Sequence, residues 1–231
     1  MKLLIIRPQP GADATAVRVC AAGHDAAVMP LFEVQPVSWD DASSENYDAL
    51  LLTSGNAVRL AGEGLHRLRK LPVYAVGSAT ARAAEQAALE TIAVGDAGAF
   101  DILALAQKAG MRHLLWLAGE DRIDVCVQEG MTLDVRTVYR SAALPIPPNF
   151  TNEVGEADAI LLHSPRAALH FAELCDANAI DRAGLTVAAL SPAIAKSAAQ
   201  GWKAVITAPA PNDASLLSRL QSYFTNLACD P

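Results

Sequence analysis

The strongest constraint on this 231-residue chain is that it repeats itself. Tyr47-Asp48-Ala-Leu-Leu-Leu-Thr53-Ser54-Gly55-Asn56-Ala57 aligns without gaps on Ala157-Asp158-Ala-Ile-Leu-Leu-His163-Ser164-Pro165-Arg166-Ala167. A second copy runs from Val73 onto Val187, and a third sets Lys2-Leu-Leu-Ile-Ile-Arg7 on His113-Leu-Leu-Trp-Leu-Ala118. Each copy is a short apolar run, then Ser, Gly or Pro, then an Ala-rich amphipathic stretch. That order is the strand–loop–helix unit of a parallel sheet, whose inner strands are apolar on both faces and whose helices open on capping residues. Self-similarity of this kind makes the chain two related modules rather than one large fold.

Composition agrees with that reading. Apolar residues are 52% of the chain, charged residues 19% and aromatics 5%, which favours helices packed on parallel sheets over an all-β sandwich. The runs predict strands at 3–6, 26–30, 49–53, 73–76, 91–94, 114–117, 159–163, 187–190 and 205–207. Helices are predicted at 12–22, 56–61, 79–88, 100–109, 122–128, 166–174, 193–199 and 213–227. The central half has a unit at 49, 73, 91 and 114, whereas the later half has only 159, 187 and 205. Its missing member is the unit at residue 3. Residues 1–33 plus 145–231 are therefore expected to form one discontinuous α/β domain, with 39–135 inserted as a second. Segments 34–38 and 136–144, β-prone and next to prolines, are expected to cross between them as a two-stranded β linker. The expected fold class is α/β, with two similar parallel-sheet, flavodoxin-like, three-layer domains.

Several function classes drop out early. Net charge is −7, and no Lys/Arg stripe interleaved with aromatics exists, so nucleic acid is not an expected partner. Cys20, Cys126, Cys175 and Cys229 lie far apart with no Cys-x-x-Cys pair, which argues against a zinc site or disulfide framework. The opening Met1-Lys-Leu-Leu-Ile-Ile-Arg7-Pro8 is too short for a signal peptide, and no run approaches the ~20 apolar residues of a membrane span. A cytoplasmic protein without a membrane partner is expected, and a monomer. Nucleotide fingerprints and a Gly-x-Ser-x-Gly elbow are both absent.

In open parallel sheets, ligands bind beyond the carboxyl ends of the strands. Those ends hold Arg7, Ser54, Asn56, Ser78, Ala79, Thr80, Gly119, Ser164, Arg166, Ser191 and Ala193. Helix starts offer free N–H groups and partial positive charge, which suit carboxylates or phosphates. Each serine also reads as an ordinary N-cap, worth about 1 kcal/mol. His163, ending an apolar strand, reads as a wall residue. Glu120 and Asp121, at a strand end, read either as acid–base groups or, preferred here, as the acidic first turn of the 122–128 helix.

Several motifs together resemble one family. Thr-Ser-Gly-Asn-Ala-Val at 53–58, Val-Gly-Ser-Ala-Thr-Ala at 76–81, Val-Tyr-Arg at 138–140, Leu-His-Ser-Pro-Arg-Ala at 162–167 and Ala-x-x-x-Gly-Trp at 198–202 are similar to uroporphyrinogen-III synthases. The resemblance implies a lyase that cyclises hydroxymethylbilane, a linear tetrapyrrole with eight carboxylates, inverting the last ring and losing water. It implies no metal and no organic cofactor, and a substrate held between the two domains. By motif, Tyr139 would assist departure of the hydroxyl, and the strand-end residues named above would bind carboxylates. Ser191-Pro192-Ala193-Ile194 departs from the family, where hydroxyl side chains are common, and leaves backbone amides there. The competing expectation is a non-catalytic two-domain binding protein or regulator that closes on a small anion.

Overall fold

The computed structural model describes every residue except 41, 96, 97, 128, 230 and 231. Along the chain, β1 (Lys2–Ile5), α1 (Gly11–Ala21), β2 (Asp25–Val28) and β3 (Phe32–Pro36) come first. Next come β4 (Ala49–Leu52), α2 (Gly55–Leu60), α3 (Gly64–Arg67), β5 (Val73–Val76), α4 (Ser78–Gln86) and β6 (Thr91–Gly95). They are followed by α5 (Ala99–Lys108), β7 (His113–Gly119), β8 (Thr132–Ala143), α6 (Phe150–Glu156) and β9 (Ala159–Leu162). The last are α7 (Pro165–Ala177), β10 (Thr186–Ala189), α8 (Pro192–Ser197), β11 (Ala204–Thr207) and α9 (Asp213–Cys229). The chain divides into two units, one made of residues 1–33 with 143–231 and the other of 34–142.

The described residues form one five-stranded sheet, ordered β2-β1-β9-β10-β11, and one six-stranded sheet, ordered β3-β8-β7-β4-β5-β6. In the first, all four neighbouring pairs are parallel; in the second, the pairs β8–β7, β7–β4, β4–β5 and β5–β6 are parallel. The repeat seen in the sequence explains this symmetry. β1, β9 and β10 occupy the same places in their sheet as their sequence copies β7, β4 and β5 do in the other. The two units thus share one doubly wound strand order, entered by the chain at different strands. Each order reverses beside a central pair, β1/β9 in one unit and β4/β7 in the other, and such reversal points are where open α/β sheets bind ligands.

Burial follows position in the sheet. Leu3, Leu4, Ile5 and Ile6 are fully buried, as are Ala49–Leu52 and the inner strands β9 and β10. The edge strands β2, β6 and β11 carry more polar and exposed positions. Alternation sends each strand's side chains to two cores. Leu4 and Ile6 pack with Phe150 and Phe171 of α6 and α7, while Leu3 and Ile5 pack with Val19 of α1 and Leu216 of α9. In the other unit, Leu50 and Leu52 meet Val58 and Ala84 of α2 and α4, while Leu51 meets Ile102 of α5. Each unit is therefore three layers, helix on sheet on helix.

Serines at three strand ends behave as helix caps. Ser54 Oγ accepts from the Asn56 N–H at 3.2 Å, Ser164 Oγ from Ala167 at 3.2 Å and Ser191 Oγ from Ile194 at 3.4 Å. Ser78 does not follow them. The repeat places Gly77, at φ 79°, where Ser191 stands, so Gly77 holds the cap position and Ser78 is the first helical residue. Replacing Ser164 with alanine is expected to lower stability by about 1 kcal/mol, read as a drop in the melting temperature of the intact protein.

One expected helix is absent. Residues 122–127 have no regular structure, and residue 128 lies outside the described residues. The reason is legible: Ile123, Val125 and Val127 alternate with Arg122, Asp124 and Cys126, a period of two that gives a helix no single apolar face. Val125 and Val127 pack on the core below while Ile123 is 87% exposed. Glu120 and Asp121 consequently begin no helix, so no helix dipole accounts for this acidic pair.

Candidate active site

In the second unit, the reversal point lies between the carboxyl ends of β4 and β7. The β4 end delivers Thr53, Ser54 and Asn56, and the β7 end delivers Gly119. Trp116, three residues before Gly119, donates its indole N–H to Thr53 Oγ1 at 3.1 Å and so ties the two ends together. Asn56 accepts from the Arg59 guanidinium at 2.6 Å. Ser78 and Ala79 are exposed at the start of α4, whereas Thr80 is buried and turned into the unit.

Tyr139 joins this group through a register shift. β7 and β8 run in step from His113 opposite Thr132 to Ala118 opposite Thr137, then slip so that Gly119 faces Tyr139. The Glu120 N–H donates to the Tyr139 carbonyl at 2.9 Å and fixes the slip. The ring then lies directly on Gly119: a Cβ there would sit 2.6 Å from the ring carbon Cζ and 2.8 Å from the hydroxyl. Only glycine leaves room for this approach. Among the described residues, the Tyr139 hydroxyl has no hydrogen-bond partner, so it is available to a substrate. Replacing Gly119 with alanine is expected to displace the ring and to reduce turnover by about tenfold or more, with the circular dichroism spectrum unchanged. An unchanged rate would show that the ring's place on Gly119 does not matter.

In the first unit, the parallel strands β1, β9 and β10 bring Arg7, Ser164, Arg166, Ser191 and Ala193 to one end of the sheet. Arg166 is exposed, with its guanidinium over the Phe32 ring at 4.9 Å. Arg7 is half-buried and donates to Thr15 Oγ1 at 3.3 Å. Its pKa is lowered chiefly by burial and further by Arg18, with Asp213 acting in the opposite direction.

Asp213, on the first turn of α9, was not foreseen as a site residue. Its Oδ2 accepts from the Thr15 hydroxyl and from the Arg18 guanidinium, each at 2.8 Å, and its Oδ1 lies 2.9 Å from His163 Nε2. Burial alone would raise the Asp213 pKa. Hydrogen bonds from His163 and Thr15, with the electrostatic influence of His163 and Arg7, outweigh it and hold the carboxyl well below the usual range. An ionised carboxylate only accepts, so His163 Nε2 carries the proton and donates. His163 is therefore more than a wall residue: its side chain is 4% exposed and hydrogen-bonded to Asp213, while its Nδ1 has no partner among the described residues. No sequence motif links Asp213 to His163, and the proline-rich run 208–211 separates β11 from the helix that carries Asp213.

Other reactive groups are placed elsewhere. Burial pushes the Cys175 thiol up to about 12, which makes it inert at neutral pH. Among the described residues, no three His, Cys, Asp or Glu side chains gather in a way that could hold a metal ion. No described helix is long and apolar enough to cross a membrane.

A family model described as uroporphyrinogen-III synthase HemD matches residues 13–218, most of the chain. The uroporphyrinogen-III synthetase of Helicobacter pylori shares the fold at a TM-score of 0.65 and 16% identity, over 96% of this chain and 100% of that one. A mutant uroporphyrinogen III synthase from Thermus thermophilus is similar at a TM-score of 0.54 and 18% identity, over the whole of both chains. The search of curated proteins found no match. With the family's pattern running from α1 to α9, this chain belongs to the uroporphyrinogen-III synthase family.

Proposed function

We propose that this cyclising lyase converts hydroxymethylbilane into uroporphyrinogen III, inverting the terminal ring as water is lost. The family match across residues 13–218 is the observation that carries the reading. The strand ends of each unit supply what an eight-carboxylate substrate needs. Helix starts at Ser54, Ser164 and Ser191 offer backbone N–H groups beyond those the caps consume, and Arg7 and Arg166 add guanidinium donors able to take a carboxylate bidentately. Ser78, Ala79, Thr80, Gly119 and Ala193 contribute chiefly through the main chain, and Asn56 through its amide.

Tyr139 is assigned to the leaving hydroxyl, to which it donates a hydrogen bond or proton. Most of the acceleration then comes from orientation: holding both ends of a flexible substrate together is worth several kcal/mol without any nucleophile. The reaction as proposed uses no metal or organic cofactor, acts as a monomer and takes place in the cytoplasm.

The deciding assay supplies hydroxymethylbilane and separates the isomeric products. The III isomer is expected in excess over the I isomer that forms spontaneously. A protein that merely binds the substrate would leave the isomer ratio at its uncatalysed value.

A further inference from the structure

The polar cluster of the first unit has a shape that a purely structural ion pair would not need. Two guanidinium groups, Arg7 and Arg18, flank one carboxylate, and all three line a pocket of about 360 Å³ with Leu190, Pro211 and Asn212. Both Asp213 oxygens are already engaged by Thr15, Arg18 and His163. The three ionised groups therefore leave one net positive charge facing the pocket. Arg7 is held on a second side as well: Gly11 lies so close that a Cβ there would come within 2.5 Å of its Nε. The only side-chain partner of Arg7 among the described residues is Thr15, through Nη1, so Nε and Nη2 remain to be used. These are the two donors that grip a carboxylate side-on.

We propose that Asp213, acting through Thr15, is a positioning residue that holds Arg7 beside Arg18 as a two-guanidinium seat for one carboxylate arm of the substrate. The inference deepens the cyclase reading and rests on it for the identity of the ligand. The pocket lies at the small end of the roughly 300–1,000 Å³ that small-molecule sites span, which fits one pyrrole ring with its acid arms rather than a whole tetrapyrrole. Without the Asp213 carboxylate between them, the two guanidinium groups would repel each other. Without the Thr15 hydroxyl, Arg7 would lose the acceptor that sets its rotamer.

Steady-state kinetics on full-length Thr15→Val, Asp213→Asn and Arg7→Lys variants test the seat, each first checked for native circular dichroism. The Thr15→Val variant removes the bridging hydroxyl at nearly constant volume and so covers the case in which Asp213→Asn fails to fold. The expected result is a KM raised about tenfold with kcat little changed, the signature of lost binding rather than lost chemistry. Thr15→Val combined with Arg7→Lys should be no worse than Arg7→Lys alone, because both act through one contact. A folded Thr15→Val variant with wild-type KM overturns the proposal. Calorimetric titration with a monopyrrole bearing one acetate and one propionate arm reads the seat without turnover. Binding weakened about tenfold by Arg7→Lys supports the seat even if the wild-type protein makes no III isomer, which would sink the cyclase reading alone. Equal binding to wild type and Arg7→Lys overturns the seat even in an active cyclase.

Discussion

Replacing Asp213 with alanine is expected to destabilise the protein by about 2–4 kcal/mol, the usual cost of leaving two buried polar partners without their acceptor. The Arg18 side chain, 54% exposed, can turn to water. Thr15 and His163 cannot, since Thr15 is fully buried and the His163 side chain is 4% exposed. His163 would then have both ring nitrogens unsatisfied in the interior. Denaturant unfolding of the variant beside wild type measures the loss, and a difference under about 1 kcal/mol would contradict it.

The same carboxylate predicts an acid dependence. Its folded-state pKa is depressed below the ordinary 3.8. A depressed group contributes stability that is complete well above its unfolded pKa and fades as pH falls from there through the folded value. Wild type and Asp213→Ala should therefore differ by the full amount near neutrality and converge below about pH 4. A gap that stays constant down to pH 2 would mean that Asp213 contributes by packing rather than by charge.

The largest effect on catalysis is expected from Tyr139→Phe. Phenylalanine keeps the ring on Gly119 and its packing beside Val138, and removes only a hydroxyl with no partner among the described residues. Stability should stay within about 0.5 kcal/mol, while kcat falls by about 10²-fold, the lower end of what a positioned proton donor supplies. The fraction of III isomer would drop with it, because the spontaneous reaction would then compete. A Phe variant with full turnover would remove Tyr139 from the mechanism. Pairing it with Gly119→Ala separates two losses, since one variant lacks the hydroxyl and the other retains it in the wrong place.

The inner strands were legible because burial on both faces demands unbroken apolar runs, and Ala49–Leu52 and Ala159–Leu162 have nothing else. α3 and α6 were not foreseen: with four and seven residues, neither is long enough to show a helical period. Ser54, Ser164 and Ser191 announced themselves because a cap is local, reading only two or three residues ahead. The contact between Gly119 and Tyr139 was partly hidden, since it depends on a one-residue slip between strands that no periodicity records. The Asp213–His163 pair was hidden altogether. It joins positions 50 residues apart through a proline-rich turn, and a lone Asp at a helix start reads as ordinary dipole chemistry.

The central place of β1 carries a cost in time. Its inner neighbour β9 is translated 156 residues later, about 8–30 s at ordinary elongation rates. Through that interval the ribosome holds a segment of four fully buried side chains, Leu3 to Ile6, with no permanent neighbour on one side. The stretch 34–142 has all its pairings to hand much sooner. The nascent chain must therefore shelter a sticky ribbon until its late companion arrives, and slowed synthesis ahead of β9 should increase aggregation more than slowed synthesis after it.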